Sequence, residues 1–181
     1  MNRTSPSLIA PSFVLIALTG CATAPKSEQG KADIQEEAAT ALAKAQRSDS
    51  TLTNFINKAA GYAVFPTVGK GAVGVGGAYG KGVLYVHGVA VGYCDLSQAS
   101  IGFQLGGQSY SEIIVFETEH AVNRFKTGNF AFDAQATAVA LKSGAGANAK
   151  YANGVAVFTM DEAGMMFEAS IGGQKFSYQA K

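Results

Sequence analysis

Histidine, cysteine, uncompensated charge and long apolar runs are all scarce in this 181-residue sequence. The two histidines, His87 and His120, have no Cys, His or carboxylate at metal-ligand spacing, so neither a metal site nor a bound cofactor is expected. Fourteen Lys and Arg against thirteen Asp and Glu leave a formal charge of +1, too little basic excess for a nucleic-acid partner. The N-terminal apolar run, Leu8 to Leu18, is interrupted by Pro11 and Ser12 and has about half of the roughly 20 residues that a spanning helix needs. The carboxylates Glu112, Glu117, Asp133, Asp161, Glu162 and Glu168 are scattered, and the one adjacent pair falls where a turn is expected. No enzymatic activity is expected.

What is present begins at the N-terminus. Arg3, the short apolar run and the small residues before Cys21 have the pattern of a secretory signal over residues 1–20. Leu18-Thr19-Gly20-Cys21 resembles the bacterial lipobox, in which the thiol takes diacylglycerol, the chain is cut before the cysteine and the new amine is acylated. Each buried methylene contributes about 0.8 kcal/mol, so two or three chains on Cys21 would hold the protein on its membrane. Ala22 in place of Asp implies sorting to the outer membrane, expected on the periplasmic face. Processing would remove Arg3 and balance thirteen basic with thirteen acidic residues. It would also leave Cys94 alone, excluding an intrachain disulfide.

Residues 21–31 read as the lipidated cysteine and a flexible tether, and residues 32–181 as one domain. Ile34, Ala38 and Leu42 recur every four residues in an Ala-, Glu- and Lys-rich stretch, which predicts a helix from Ala32 to Arg47. A second helix should start at Asp49 or Ser50 and end at Gly61. Glycine and β-branched or aromatic residues then dominate, predicting strands near 62–65, 71–79, 82–91, 99–105, 110–116, 130–141, 154–160, 164–171 and 174–179. The alanine-rich part of 134–141 also suits a helix. A third helix is expected after Thr118, up to Gly128. The fold class is α+β, a glycine-rich antiparallel β-core with two N-terminal helices and one internal helix.

Compared with itself at an offset of 66 residues, the chain matches Gly88-Val89-Ala90-Val91 with Gly154 to Val157, Asp95 with Asp161, Gly106-Gly107-Gln108 with Gly172-Gly173-Gln174, and Ser111 with Ser177. Each copy reads as strand, Asp-containing turn, strand, Gly-Gly turn and strand, so two related meanders are expected. Similar glycine-rich hairpins would give the same match by composition alone.

Gly69, Gly71 and Gly74 meet the spacing of a dinucleotide fingerprint, but the glycines after them deny the helix it must open. Lys81 is followed by Gly82 rather than Ser or Thr, which excludes a Walker motif. Two readings of the glycine segment stay open: close strand packing, or a cradle of backbone amides and lysines for an anionic head group. Cys94, seven residues after His87, is a weak candidate nucleophile with that base.

The run Gly76-Gly77-Ala78-Tyr79-Gly80-Lys81-Gly82-Val83-Leu84-Tyr85, followed by Ser97 through Glu112, resembles the SYLF domain, a lipid-binding module of bacterial lipoproteins and eukaryotic proteins. The similarity extends roughly from Ala32 to Tyr178. It implies a non-enzymatic domain that binds anionic phospholipid through its N-terminal amphipathic helix and nearby basic residues. Lys58, Lys70 and Lys81 are the implied head-group contacts, unless they are ordinary solvated lysines. An envelope protein as partner, with the lipid only an anchor, is the main alternative.

Overall fold

In the computed structural model, the described residues are 25, 27–73, 75–101, 108–128, 132–133, 138–141, 144–161 and 172–181. Cys21 and the expected strand at 164–171 lie outside them. Helix α1 spans Glu28–Ser48, where Ser27 caps its N-terminus by accepting from the Gly30 amide at 3.1 Å. The helix therefore begins inside the expected tether. Its buried stripe is Ile34, Ala38, Ala41 and Ala45, with Leu42 packed beside it. Helix α2 spans Thr51–Lys58. Between the helices, the buried Asp49 carboxylate accepts from the Thr51 amide and hydroxyl at 3.0 and 2.6 Å and from the Gly146 amide at 2.6 Å. Burial pushes this carboxyl upward, but those hydrogen bonds outweigh it and hold the group below 3.8.

The strands are β1 (Gly61–Val73), β2 (Val75–Val86), β3 (Val89–Ile101), β4 (Gln108–Phe116), β5 (Phe132–Asp133), β6 (Ala138–Ala140), β7 (Val155–Asp161) and β8 (Gly172–Ala180). Helix α3, Glu119–Lys126, follows β4 and is capped by the Thr118 hydroxyl, which accepts from Ala121 at 3.2 Å. One sheet has the order β5-β8-β3-β2-β1-β4-β7-β6, antiparallel except for β6 against β7. Pro66, which has no N–H for the ladder, sits where β1 shifts register, and its carbonyl accepts from Ser111 Oγ at 2.6 Å.

Two distances show that the sheet curls on itself. Laid flat, eight strands would be about 34 Å wide at roughly 4.8 Å per spacing. Yet the edge strands β5 and β6 are joined by residues 134–137, which reach at most about 18 Å. Likewise β4 and β8 are separated by three strands, but Glu112 and Gln174 meet at 2.9 Å. Alternate residues of each strand consequently face an interior and an outer layer. The interior holds Phe65, Leu84, Leu96, Ile114, Phe116 and Phe176, and α3 adds Ala121, Val122 and Phe125 at one end. The rings of Phe116, Phe125 and Phe176 are 5.0 and 5.2 Å apart in sequence of contact. The outer layer, with Tyr62, Val64, Val83, Tyr93, Ile113 and Val115, is covered by α1 and Leu52 of α2.

Several expected boundaries change. His87, expected within a strand, lies in the turn between β2 and β3, and Asp95, expected in a turn, is in the middle of β3. The structure makes the repeat visible at two turns: His87-Gly88 and Asn153-Gly154 both have positive φ (49° and 78°; 52° and 77°), and β3 and β7 start directly after them. The copies do not form side-by-side meanders, however. The hairpin of β1 and β2 occupies the centre, so β3 pairs with β8 and β4 with β7, across the copies. Of the stretch at 134–141, Ala138–Ala140 is strand.

Candidate functional site

The three lysines expected to contact lipid lie on different elements, Lys58 on α2, Lys70 on β1 and Lys81 on β2. Lys58 is exposed at the end of α2, beside a groove of about 240 Å³ lined also by Asn54, Phe55, Ala149 and Tyr151. Phe55 and Tyr151 form the groove's apolar walls, with ring centroids 5.4 Å apart. Phe55 is fixed from beneath by an edge contact with the buried Phe158 at 5.2 Å. Lys150, between two lining residues in the chain, is also exposed. An apolar cleft with a cationic group in its lining, Lys58, suits an anionic amphiphile. The larger groove, about 510 Å³ between α1 and β1, does not, because Asp33, Glu36 and Glu37 wall it with only Lys44 against them.

Lys81 is half-buried on the outer layer of β2, directly across from Asp95 of β3. Asp95 accepts from the Tyr79 hydroxyl at 2.9 Å and from Ser177 at 3.2 Å. An anion approaching Lys81 thus meets a carboxylate on the next strand. Lys70 pairs with Ala78 in β2, whereas Lys81 pairs with Thr67, three rungs along the same regular ladder. With a period of two, these positions fall on opposite faces, so the ladder does not bring them into one cradle.

The glycines near Lys81 have a packing role. A Cβ on Gly82 would stand 2.6 Å from the Val64 carbonyl and 2.7 Å from the Phe65 ring. Only hydrogen fits there, as close strand packing requires.

Cys94 is buried on the interior side of β3, and desolvation pushes its thiol well above the ordinary range, reinforced by Asp95. His87 is exposed in its turn, 3.8 Å from a Glu119 oxygen. The weak candidate pair of Cys94 and His87 is therefore not assembled. Among the described residues, no group of three His, Cys, Asp or Glu could hold a metal.

The interior carries a cluster that sequence reasoning did not assemble. At the end of the sheet away from α3, Glu112 and Tyr110 of β4 meet Gln174 of β8, and Gln98 of β3 lies opposite Gln174 in the ladder. Gln174 Nε2 donates to Glu112 Oε2 at 2.9 Å. Glu112 Oε1 and Gln174 Oε1 are buried and have no hydrogen-bond partner among the described residues. Leaving such an acceptor unmatched costs about 1–3 kcal/mol. Burial raises the Glu112 carboxyl to about 7, although contacts with Gln174 and Tyr110 favour its charged form. The Tyr110 hydroxyl is pushed up, first by burial and then by the neighbouring carboxylate.

Comparison with known proteins then places the chain. Residues 97–181 match the family model described as Ysc84, Las17-binding protein actin regulator. A relative named Beta cell expansion factor A, from Aeromonas veronii, is 28% identical over 165 residues. That alignment covers 84% of this chain and 59% of the relative's length.

Residues 97–181 match the SYLF family.

The SYLF match takes in the run from Ser97 to Glu112 that carried the resemblance, but not the run at 76–85. It contains β4 through β8 and part of β3, whereas the centre of the sheet is β2 and β1. The matched stretch cannot form this sheet without residues 61–96. Glu112, Tyr110, Gln98 and Gln174 all lie within the SYLF stretch, while Lys58, Lys70 and Lys81 precede it. The family is associated with lipid binding, and the match ties that association to residues 97–181 alone. The choice of lipid and of contact residues is a separate matter.

Proposed function

We propose that the chain is a non-enzymatic, phospholipid-binding lipoprotein of the bacterial envelope. On this reading it is anchored by acyl chains on Cys21 in the outer membrane and faces the periplasm. The SYLF match at residues 97–181 is the observation that carries it. The Phe55–Tyr151 groove beside Lys58 supports an anionic lipid, since it offers apolar area to acyl carbon and the Lys58 ammonium to phosphate. The buried, protonated Cys94 supports the absence of enzymatic activity. The name of the family model mentions an actin regulator, but nothing described in the chain supports actin as its partner.

Because α1 begins at Glu28, the stretch from Cys21 to Ser27 would reach only roughly 20 Å. The domain would then work at high local concentration over its own membrane, where weak head-group affinity suffices. Lys58→Glu, compared with Lys81→Glu across salt concentrations, tests the contact. Loss of vesicle binding and of its salt dependence is expected for Lys58→Glu, and a smaller effect for Lys81→Glu. Unchanged binding in both would remove these lysines from the reading.

A further inference from the structure

We propose that the interior of the curled sheet binds a primary ammonium group, held by Glu112 Oε1 and Gln174 Oε1 and supplied by an amine-bearing ligand. The site is built from two strands that the curl brings together, and both acceptors are enclosed by protein without a donor among the described residues. Gln174 gives one of its two amide N–H donors to Glu112 Oε2, and its oxygen can only accept. What the pair lacks is a compact group with two or more N–H donors and a positive charge. A primary ammonium has both. A quaternary ammonium has no donor, and a hard metal ion takes about six or more oxygens, more than Glu112 and Gln174 present.

The end of the interior where this site lies is where β3 finishes and β4 and β8 begin, opposite the end filled by α3. The side chains around Glu112 are Tyr110 on its own strand, Phe65 opposite on β1, Thr159 opposite on β7 and Gln174 from β8. Tyr110 is the titratable one among these. The nearest charged positions in the ladder are Asp161, opposite Tyr110, and Lys70, opposite Gln108. Since a bound cation favours the carboxylate, binding should release a proton near neutrality and weaken as pH falls.

The ammonium has two sources, the head group of an aminophospholipid or a free amine. Calorimetric titration of the full chain in detergent and amine-free buffer at pH 8 separates them. The probes are ethanolamine, dihexanoyl phosphatidylethanolamine, and their choline counterparts. One-to-one binding of an ethanolamine probe is expected, at least about tenfold tighter than its choline counterpart. It should be lost in Glu112→Gln and weakened in Gln174→Met, each checked for an intact thermal transition. Binding of the lipid alone assigns the head group, and equal binding of ethanolamine assigns the free amine. No saturable binding of either, equal binding of choline probes, or full binding in a folded Glu112→Gln protein overturns the proposal.

Discussion

Glu112→Gln should make this protein more stable at alkaline pH and leave it unchanged in acid. The carboxyl rises from its ordinary 4.5 to about 7 because folding removes it from water. The folded state therefore holds a proton that the unfolded chain gives up between those values. For an acid raised in this way, the native state keeps its full stability below about pH 4.5 and loses it as pH rises to about 7. A shift from 4.5 to about 7 corresponds to about 3 kcal/mol, with no solvent screening at a fully buried group. Gln keeps an oxygen for Gln174 Nε2 and carries no proton to lose. Urea unfolding of both proteins from pH 4 to 9, in amine-free buffer, should give nearly equal stabilities at pH 4. The variant should be about 3 kcal/mol more stable at pH 8. Taking the difference cancels every other titrating group. A difference that does not vary with pH would refute the burial argument, as would a variant less stable at pH 8 than at pH 4 relative to the parent.

Three further perturbations test other parts of the structure. Gly82→Ala places a methyl against the Val64 carbonyl and the Phe65 ring and should cost about 1–3 kcal/mol by thermal unfolding, whereas a neutral effect would mean the strands can separate. Asp49→Ala removes the acceptor for Thr51 and Gly146 and should cost about 2–4 kcal/mol at pH 7. Because the native carboxyl is held below 3.8, that contribution should be present above about pH 4 and disappear as pH falls through the lowered value, which unfolding at pH 2–3 would show. Cys94 should react with a thiol reagent only at the rate of unfolding, and rapid labelling of the native protein would contradict its burial on the interior side of β3.

The helices were legible because their signals are local. Ile34, Ala38 and Leu42 set the period of α1, and Thr118 announces the cap of α3. Strand ends were less legible, since glycine is both the turn residue and the packing residue here. Gly82 lies inside β2, whereas Gly88 turns the chain. No local pattern separates the two, because the difference is the closeness of Phe65 on the neighbouring strand. The interior cluster had no sequence signal for a related reason. Glu112 and Gln174 are 62 residues apart, and what joins them is the curl of a sheet whose central hairpin comes earlier in the chain. The groove beside Lys58 was half visible: the lysine was, but its aromatic wall needed Tyr151 from the far side of β6. The exposed Lys150 was missed, although the adjacent Lys150-Tyr151 pair of cation and aromatic was a signal within reach.

The central claim is lipid binding by the folded domain itself, apart from any acyl anchor. Co-sedimentation of residues 22–181, made without Cys21, with anionic and with neutral phospholipid vesicles tests it most directly. At moderate salt, the protein should pellet with anionic vesicles and be released as salt rises, with much weaker binding to neutral ones. A soluble, folded protein that stays in the supernatant with both kinds of vesicle would contradict the account and leave the acyl chains on Cys21 as the only proposed link to lipid.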